Sequence, residues 1–389
     1  MPILNSIAAM QDKIAIWRQD IHRNPELGFD THRTSGFVTE KLKEFGCDLV
    51  RTGIGRTGVV GVIRGRKDSS GKVIGLRADM DALPIQEETG LEYASCHAGK
   101  MHACGHDGHT AMLLGAAQYL AQTRNFDGTA VVVFQPAEEG GGGGREMVND
   151  GLMEEFGIQE IYGMHSMPGV SVGEFAIRPG PFFAAGDRFT IDIEGVGGHA
   201  AKPHDAVDAG LAAAHVMVAI QSIAARNIDP LQSVVVSIAS IHSDNETFNV
   251  LPRIVRLKGT VRALGEDVRA EAQKRVCLIA QNTAAAFGAK AHVNYEVGFP
   301  AMVNAPAQTD FAVTVARKTV GTAAVDPMSA AYMTAEDFVF MLDARPGAYI
   351  LLGNGDTPML HNAGYNFDDA AIPFGSSYWA NLIETGMPL

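Results

Sequence analysis

Cysteine is scarce in this sequence: four residues in 389, at positions 47, 96, 104 and 277. So few in so long a chain give no disulfide framework, and a reducing compartment is the simpler expectation. Positive charge is also short. Lys and Arg number 31 against 44 Asp and Glu, a formal net charge of −13 at pH 7. That balance argues against nucleic acid and anionic membrane surfaces as partners, yet leaves room for an anionic small substrate at a locally positive site. No apolar run reads as long enough to span a membrane. The first eleven residues lack the basic-then-apolar pattern of a signal peptide. No repeat stands out, and the one biased segment is a run of glycines at 140–144. The expectation is a soluble, cytoplasmic protein with neither nucleic-acid nor membrane partners.

Hydrophobic residues make up 46% of the chain and charged residues 19%, the balance of a globular protein rather than a disordered one. Its length allows two domains and a sizeable core. Ile7, Met10, Ile14, Trp17 and Ile21 recur at three and four, which predicts a helix over 6–21. A second helix, 34–45, ends at Gly46. Residues 58–63 and 73–78 read as two strands joined in a hairpin by the polar stretch 64–72. The second runs straight into Asp79 and Asp81. A strand at 128–134 delivers Glu138 and Glu139, and a strand at 158–164 delivers His165. Chemistry at the ends of apolar strands is the habit of an α/β protein, here a catalytic domain with a mixed central sheet flanked by helices.

Near residue 186 the pattern changes. Strand 188–194, helix 205–226, strands 233–241 and 254–262, helix 266–287 and strand 290–297 follow in the order β-α-β-β-α-β. That is the ferredoxin-like split arrangement, and it predicts an inserted α+β domain over 186–299. Residues 300–389 then return to the first domain's character, with helices at 310–319, 335–342 and 376–385 around a strand at 347–352. The catalytic domain is thus expected in two parts, 1–185 and 300–389.

Gly99 to Thr110 holds His102, Cys104, His106, Asp107 and His109. A lone buried Cys is more often core than ligand; a cluster with distant partners reverses that. Cys104 and His106, two apart, point the same way in an extended segment, and Asp107 is placed to cap the following helix. With Glu139, His165 and His361 they form a thiolate, imidazole and carboxylate set suited to a transition metal. Five protein ligands exceed a closed zinc site and suit two adjacent ions that share a bridging ligand. Cys104 as thiolate fits that bridge, and Glu139 competes for it. Glu138, beside Glu139 but not bound to metal, suits a general base. A solvated turn is the ordinary fate of a Glu pair, but the apolar strand before it and the glycines after it count against that. Asp81 could orient a ligating imidazole. The glycine run is followed by Arg145-Glu146, so it is no P-loop; its glycines suit a close backbone approach to the ligand loop. In the insert, His199 follows two glycines, Asn249 lies in Phe248-Asn-Val-Leu-Pro252, and Arg262 has the fork to grip a carboxylate. Alone, each would be an ordinary surface residue.

The motifs Asp79-Met-Asp-Ala-Leu-Pro84, His102-Ala-Cys-Gly-His-Asp-Gly-His109, Phe134-Gln-Pro-Ala-Glu-Glu-Gly140, Gly163-Met-His165, Gly197-Gly-His-Ala-Ala-Lys-Pro-His204 and Ala335-Glu-Asp-Phe338 closely resemble the peptidase family M20 amidohydrolases. The nearest branch is that of hippurate hydrolases, N-acyl-amino-acid amidohydrolases and auxin-conjugate hydrolases, which His22-Arg-Asn-Pro-Glu-Leu-Gly-Phe29 also matches. The resemblance spans essentially the whole chain. It implies a two-metal catalytic domain, a lid that also dimerises, and hydrolysis of the amide between an acyl group and an amino acid. It implies Cys104, His106, Glu139, His165 and His361 as metal ligands, Glu138 as general base and Asp81 as the assisting acid. His199 would polarise the scissile carbonyl, often across a dimer, with Asn249 and Arg262 holding the substrate carboxylate. Leu251 stands where Ile is usual. The ions would be Zn²⁺ or Mn²⁺, with Co²⁺ and Ni²⁺ also compatible, and the assembly a homodimer or a tetramer of such dimers. A dipeptidase or carboxypeptidase is the enzymatic alternative. A catalytically silent metal- or peptide-binding module is the other, and it predicts the loss of base or ligands, all of which are present.

Overall fold

The computed structural model describes residues 3–389. They separate into two compact units. The first holds the chain up to Gly180, Val303–Ala330 and Asp337–Leu389; the second holds Pro181–Met302 and Ala331–Glu336.

The first unit is built on a mixed eight-stranded sheet. Its strands include β1 (Leu49–Ile54), β2 (Gly58–Arg64), β3 (Val73–Asp79), β4 (Thr129–Gln135) and β5 (Glu160–Met167). Their order across the sheet is β1-β2-β4-β3-β5, continued by Gly347–Gly353, Phe175–Ala176 and Val325–Asp326. The hairpin expected between β2 and β3 does not form. β4 lies between them, antiparallel to β2 and parallel to β3. Strands this apolar, buried on nearly every residue, need a neighbour on each side, and β4 is as rich in β-branched residues as β2. β1 escapes a periodicity reading because most of its residues are exposed at the sheet's edge.

β4, β3, β5 and Gly347–Gly353 run parallel, so their carboxyl ends open on one edge. Asp79 is opposite Gln135, and His165 is opposite Leu351. Every chemistry-bearing segment of this unit starts there, as expected for parallel strands. The helix His106–Thr123 is buried along almost its whole length, among Leu76, Ala130, Val132 and Tyr378 of the main core. Ala and Gly on several faces let it sit that deep.

The second unit is an antiparallel four-stranded sheet in the order Val234–Ser243, Ile254–Ala263, Ala185–Glu194, Lys290–Phe299. Helices Ala209–Ile220 and Glu266–Ala286 bury Ala212, Ala213, Val216, Ala272, Val276 and Ala280 against it. Ala185–Glu194 alternates buried and less buried residues, as a strand with one covered face must. Ala209–Asn227, 19 residues long, is apolar and long enough by composition to cross a membrane, contrary to the expectation that no run is. Its Ala-rich face packs into this unit's core.

The helix expected at 335–342 is shorter and later, Val339–Ala344. Residues 331–336 instead join the second unit. The Tyr332 N–H donates to the Phe182 carbonyl at 2.8 Å, its own carbonyl accepts from Ala184, and its ring stacks on Phe183 at 5.4 Å. A return of the chain after so long an excursion is invisible to local periodicity, which put the boundaries at 186 and 299.

Candidate metal centre

The site is assembled from three strand ends, the start of the helix His106–Thr123 and one late loop. Gly105 takes a left-handed backbone (φ 86°) that ends the extended run at Cys104 and starts the helix at His106. His106 is therefore the first helical residue, not part of an extended segment, and convergence with Cys104 comes from that turn. Asp107 does not cap the helix. It lies inside the first turn, and its carboxylate goes to His22 instead. His361 arrives from the loop after Gly347–Gly353. Its N–H donates to the Ala103 carbonyl at 2.7 Å, and its backbone is left-handed (φ 64°) despite a Cβ.

The five residues come together. Ligand atoms of Cys104, His106 and His165 lie within 4.8 Å of one another, as do those of Cys104, Glu139 and His361. A third group joins His106 to Glu138 and Glu139. Cys104 is the residue common to the first two. Ring hydrogen bonds fix which nitrogen faces the centre. His165 Nδ1 donates to the Ser166 carbonyl at 2.6 Å, so Nε2 keeps its lone pair and stands 3.3 Å from Cys104 Sγ. His109 is excluded from ligation in the same way. Its Nε2 accepts the Ser166 N–H at 2.8 Å, which leaves its Nδ1–H to donate to Asp79 at 2.6 Å. His102 lies elsewhere, buried beside Asp107.

Several features fit a bound cation. Both ring nitrogens of His106 are buried without a hydrogen-bond partner, although Asp81 Oδ1 is 3.4 Å from Nδ1 off the bonding direction. Carboxylates of Asp79, Asp81, Glu138 and Glu139 crowd the centre against one buried guanidinium, Arg77, itself shared with Asp337. Burial pushes the Cys104 thiol well above its ordinary value, and Glu139, Glu138 and Asp79 push it further. Burial alone would depress His106, but Asp79, Asp81 and Glu139 outweigh it and raise the imidazole to about 10. Both side chains thus hold protons that a cation would displace. A site rich in buried negative charge, with thiol and imidazole donors, suits one or more divalent ions.

The turn carrying the glutamates is held by one carboxylate. Asp81 accepts the N–H of Glu138 at 3.0 Å and of Glu139 at 3.1 Å. Ala137 before them is left-handed (φ 55°). The glycine run lies beneath this turn rather than against the ligand loop: a Cβ on Gly143 would fall 1.7 Å from the Pro136 carbonyl oxygen. Glu138 is 8% exposed, and its Oε1 accepts the Asp337 N–H at 3.4 Å. Asp79, at a strand end, and His109, in the ligand-rich loop, were visible in the sequence without an assigned partner, and Asp337 lay in the motif Ala335-Glu-Asp-Phe338 without a role. Arg77 and Ser166 were missed; Arg77 gave a signal, a charge inside an otherwise apolar strand.

A second buried polar cluster flanks the same helix start. His22 Nδ1 is 2.9 Å from Asp107 and its Nε2 is 3.2 Å from Glu87. Arg18 donates to both oxygens of Asp369, at 2.8 and 2.9 Å, and reaches Asp107 at 3.5 Å. Burial opposes charge on His22, but Asp107 and Glu87 raise it to about 9. Burial drives His102 the other way, down to about 3, and neither of its ring nitrogens has a partner.

In the second unit, Gly198–His199 pairs with Val250–Leu251. His199 and Asn249 line one cavity of about 400 Å³ together with Arg253 and Asp244. Arg262 is not among its lining residues. It is half-buried on its strand and donates to Thr260 Oγ1 and the Val261 carbonyl.

The family model described as Peptidase family M20/M25/M40 matches residues 75–385. A hippurate hydrolase of Campylobacter jejuni is 42% identical over 382 residues, 98% of each chain. Thermostable carboxypeptidase 1 of Saccharolobus solfataricus is 39% identical over 354 residues, 90% of this chain and 88% of its own. The crystal structure of the Bacillus subtilis YXEP protein, described as a dinuclear metal binding peptidase from the M20 family, superposes with a TM-score of 0.84 at 31% identity. It covers 98% of this chain and 99% of that one.

Proposed function

This chain belongs to peptidase family M20/M25/M40 and is a metal-dependent amide hydrolase, and on that premise we propose that it cleaves N-acyl amino acids to a carboxylic acid and a free amino acid. The observation that carries this reading is the pair of ligand groups that share Cys104. Cys104, His106, Glu139, His165 and His361 would hold two divalent ions, Zn²⁺ or Mn²⁺ being the best candidates, with Cys104 the residue shared by two of the ligand groups. Ions held there supply Lewis acidity toward a carbonyl and toward water. Glu138, steadied by the Asp337 N–H, takes the proton from water and delivers it to the departing amine. Asp81 keeps both glutamates in register through their peptide N–H groups.

We read the second unit as a ferredoxin-like lid that also forms a homodimer. Its edge strand Val234–Ser243 has no further strand beyond it among the described residues, and Val218, Val235 and Ile241 are exposed. A ten-residue open edge with apolar neighbours favours a partner. His199 is the candidate for polarising the carbonyl, with Asn249 and Arg262 for the substrate carboxylate. Four free cysteines among the described residues are compatible with the cytoplasm.

The test is a hydrolysis panel on chelated protein reloaded with Zn²⁺, Mn²⁺, Co²⁺ or Ni²⁺ in turn. It sets acetyl, benzoyl, long-chain and indole-acetyl amino acids against dipeptides and C-terminally blocked controls. Preference for the acyl series supports the proposal. Faster turnover of free peptides makes the chain a carboxypeptidase or dipeptidase, and inertness of every metal form returns it to a binding module.

A further inference from the structure

Beneath the ligand groups lies a buried side chain that none of the roles above uses. Arg77 sits on β3 with no exposed surface, and its guanidinium reaches three ways. Nη1 donates to Asp79 Oδ2 at 2.8 Å, Nη2 to Asp337 Oδ1 at 3.1 Å, and Nε to Gln135 Oε1 at 2.8 Å. Each acceptor leads to a different working group. Asp79 accepts from His109 and stands 3.8 Å from His106 Nε2. Asp337 presents its own peptide N–H to Glu138, while its side chain accepts from Gln135 at 2.7 Å and from the Gly144 N–H at 2.8 Å. Gln135 ends the strand from which the Glu138 turn departs.

We propose that Arg77 is the positioning residue that couples the two halves of this site. Through Asp79 it sets the imidazoles on the ligand side, and through Asp337 it sets the peptide group that holds the base. The inference rests on the functional reading above, and it follows from geometry: a planar guanidinium can hold two carboxylates in fixed directions, which an ammonium cannot. Burial makes the arrangement rigid, since each carboxylate would otherwise be left without its counter-charge.

The two arms make different predictions. Loosening the Asp79 arm should weaken metal binding; loosening the Asp337 arm should leave metal in place and misplace Glu138. Arg77→Lys should therefore bind Mn²⁺ or Zn²⁺ about 10–100-fold more weakly in a chelator-competition titration. At saturating metal it should still turn over about 100-fold more slowly with KM within about threefold, the usual cost of a small misplacement. Asp337→Asn should keep wild-type metal affinity within about threefold and lose turnover by a similar factor of about 100. Should Arg77→Lys not fold, Asp79→Asn reads the metal arm in its place. Equal loss of metal affinity in Asp337→Asn and Asp79→Asn would overturn the proposal, because the guanidinium would then only balance charge. So would wild-type turnover in Asp337→Asn. A wild-type protein inert toward the whole substrate panel sinks the functional reading instead, and the metal titrations still judge the Asp79 arm.

Discussion

Two buried polar clusters flank the start of the helix His106–Thr123, and they answer the same problem in opposite ways. On the His22 side, Arg18 and a protonated His22 face Asp107, Glu87 and Asp369, so two cations nearly balance three carboxylates, although Asp107 Oδ1 and both His102 ring nitrogens lack a partner. On the Cys104 side, Asp79, Asp81, Glu138, Glu139 and Asp337 crowd the centre against the Arg77 guanidinium, a much larger excess of carboxylate, both His106 nitrogens are left over, and the thiol is pushed far up. A cluster whose charges nearly balance stabilises the fold. One that stays acidic and unpaired is stable only with a cation from outside. The contrast separates a scaffold from the proposed reaction centre although both are made of His, Asp and Glu and meet at the adjacent residues His106 and Asp107.

The comparison breaks most visibly at the base. Glu138→Gln should lower kcat by about 10²–10⁴-fold while elemental analysis finds the wild-type metal content, because the amide keeps the shape but cannot carry the proton. Unchanged turnover would remove Glu138 from the chemistry. Cys104→Ser should come next. A hydroxyl shared between both ligand groups is a far poorer anion than a thiolate, so metal content and activity should fall together. Retention of two ions per chain would show that Cys104 is not needed to hold them.

Removing metal should separate the clusters. Chelation should lower the melting temperature, since ligand held at about 100 times its Kd contributes about 2.7 kcal/mol; His22→Gln should lower it without changing metal content. The pH dependence sharpens this. His22 is raised from 6.5 to about 9 in the folded protein. Its contribution is fully present below about pH 6.5 and is lost as pH rises through about 9. The stability gap between wild type and His22→Gln should be on the order of 2–3 kcal/mol at pH 6 and close toward pH 9.5. A gap that widens with pH would reverse the assignment of charge. The smallest effect is expected at Ala137, whose left-handed backbone a glycine adopts freely. Ala137→Gly should change stability by less than about 1 kcal/mol, because relief of strain is offset by a more flexible unfolded chain.

Much of this protein was legible from residues alone. Alternation and apolar runs found the insert's six elements and the strands that deliver Glu138 and His165, because burial on one or two faces writes a period into the sequence. The donor types at Cys104, His106, Glu139, His165 and His361 stood out because thiol, imidazole and carboxylate have few joint uses other than metal. Local sequence says nothing about which strands become neighbours. It made β2 and β3 a hairpin, where the sheet set β4 between them. It gave Asp107 to the helix cap, where a carboxylate from one helix found an imidazole from another. It could not tell that Arg77, Asp79 and Asp337 form one network, since 260 residues separate Arg77 from Asp337. Composition and periodicity thus determined the kinds of element and the donors available. Tertiary structure decided their neighbours, and with them which carboxylates are balanced by Arg77 and which are left to a metal, because counter-charge is a property of space rather than of sequence.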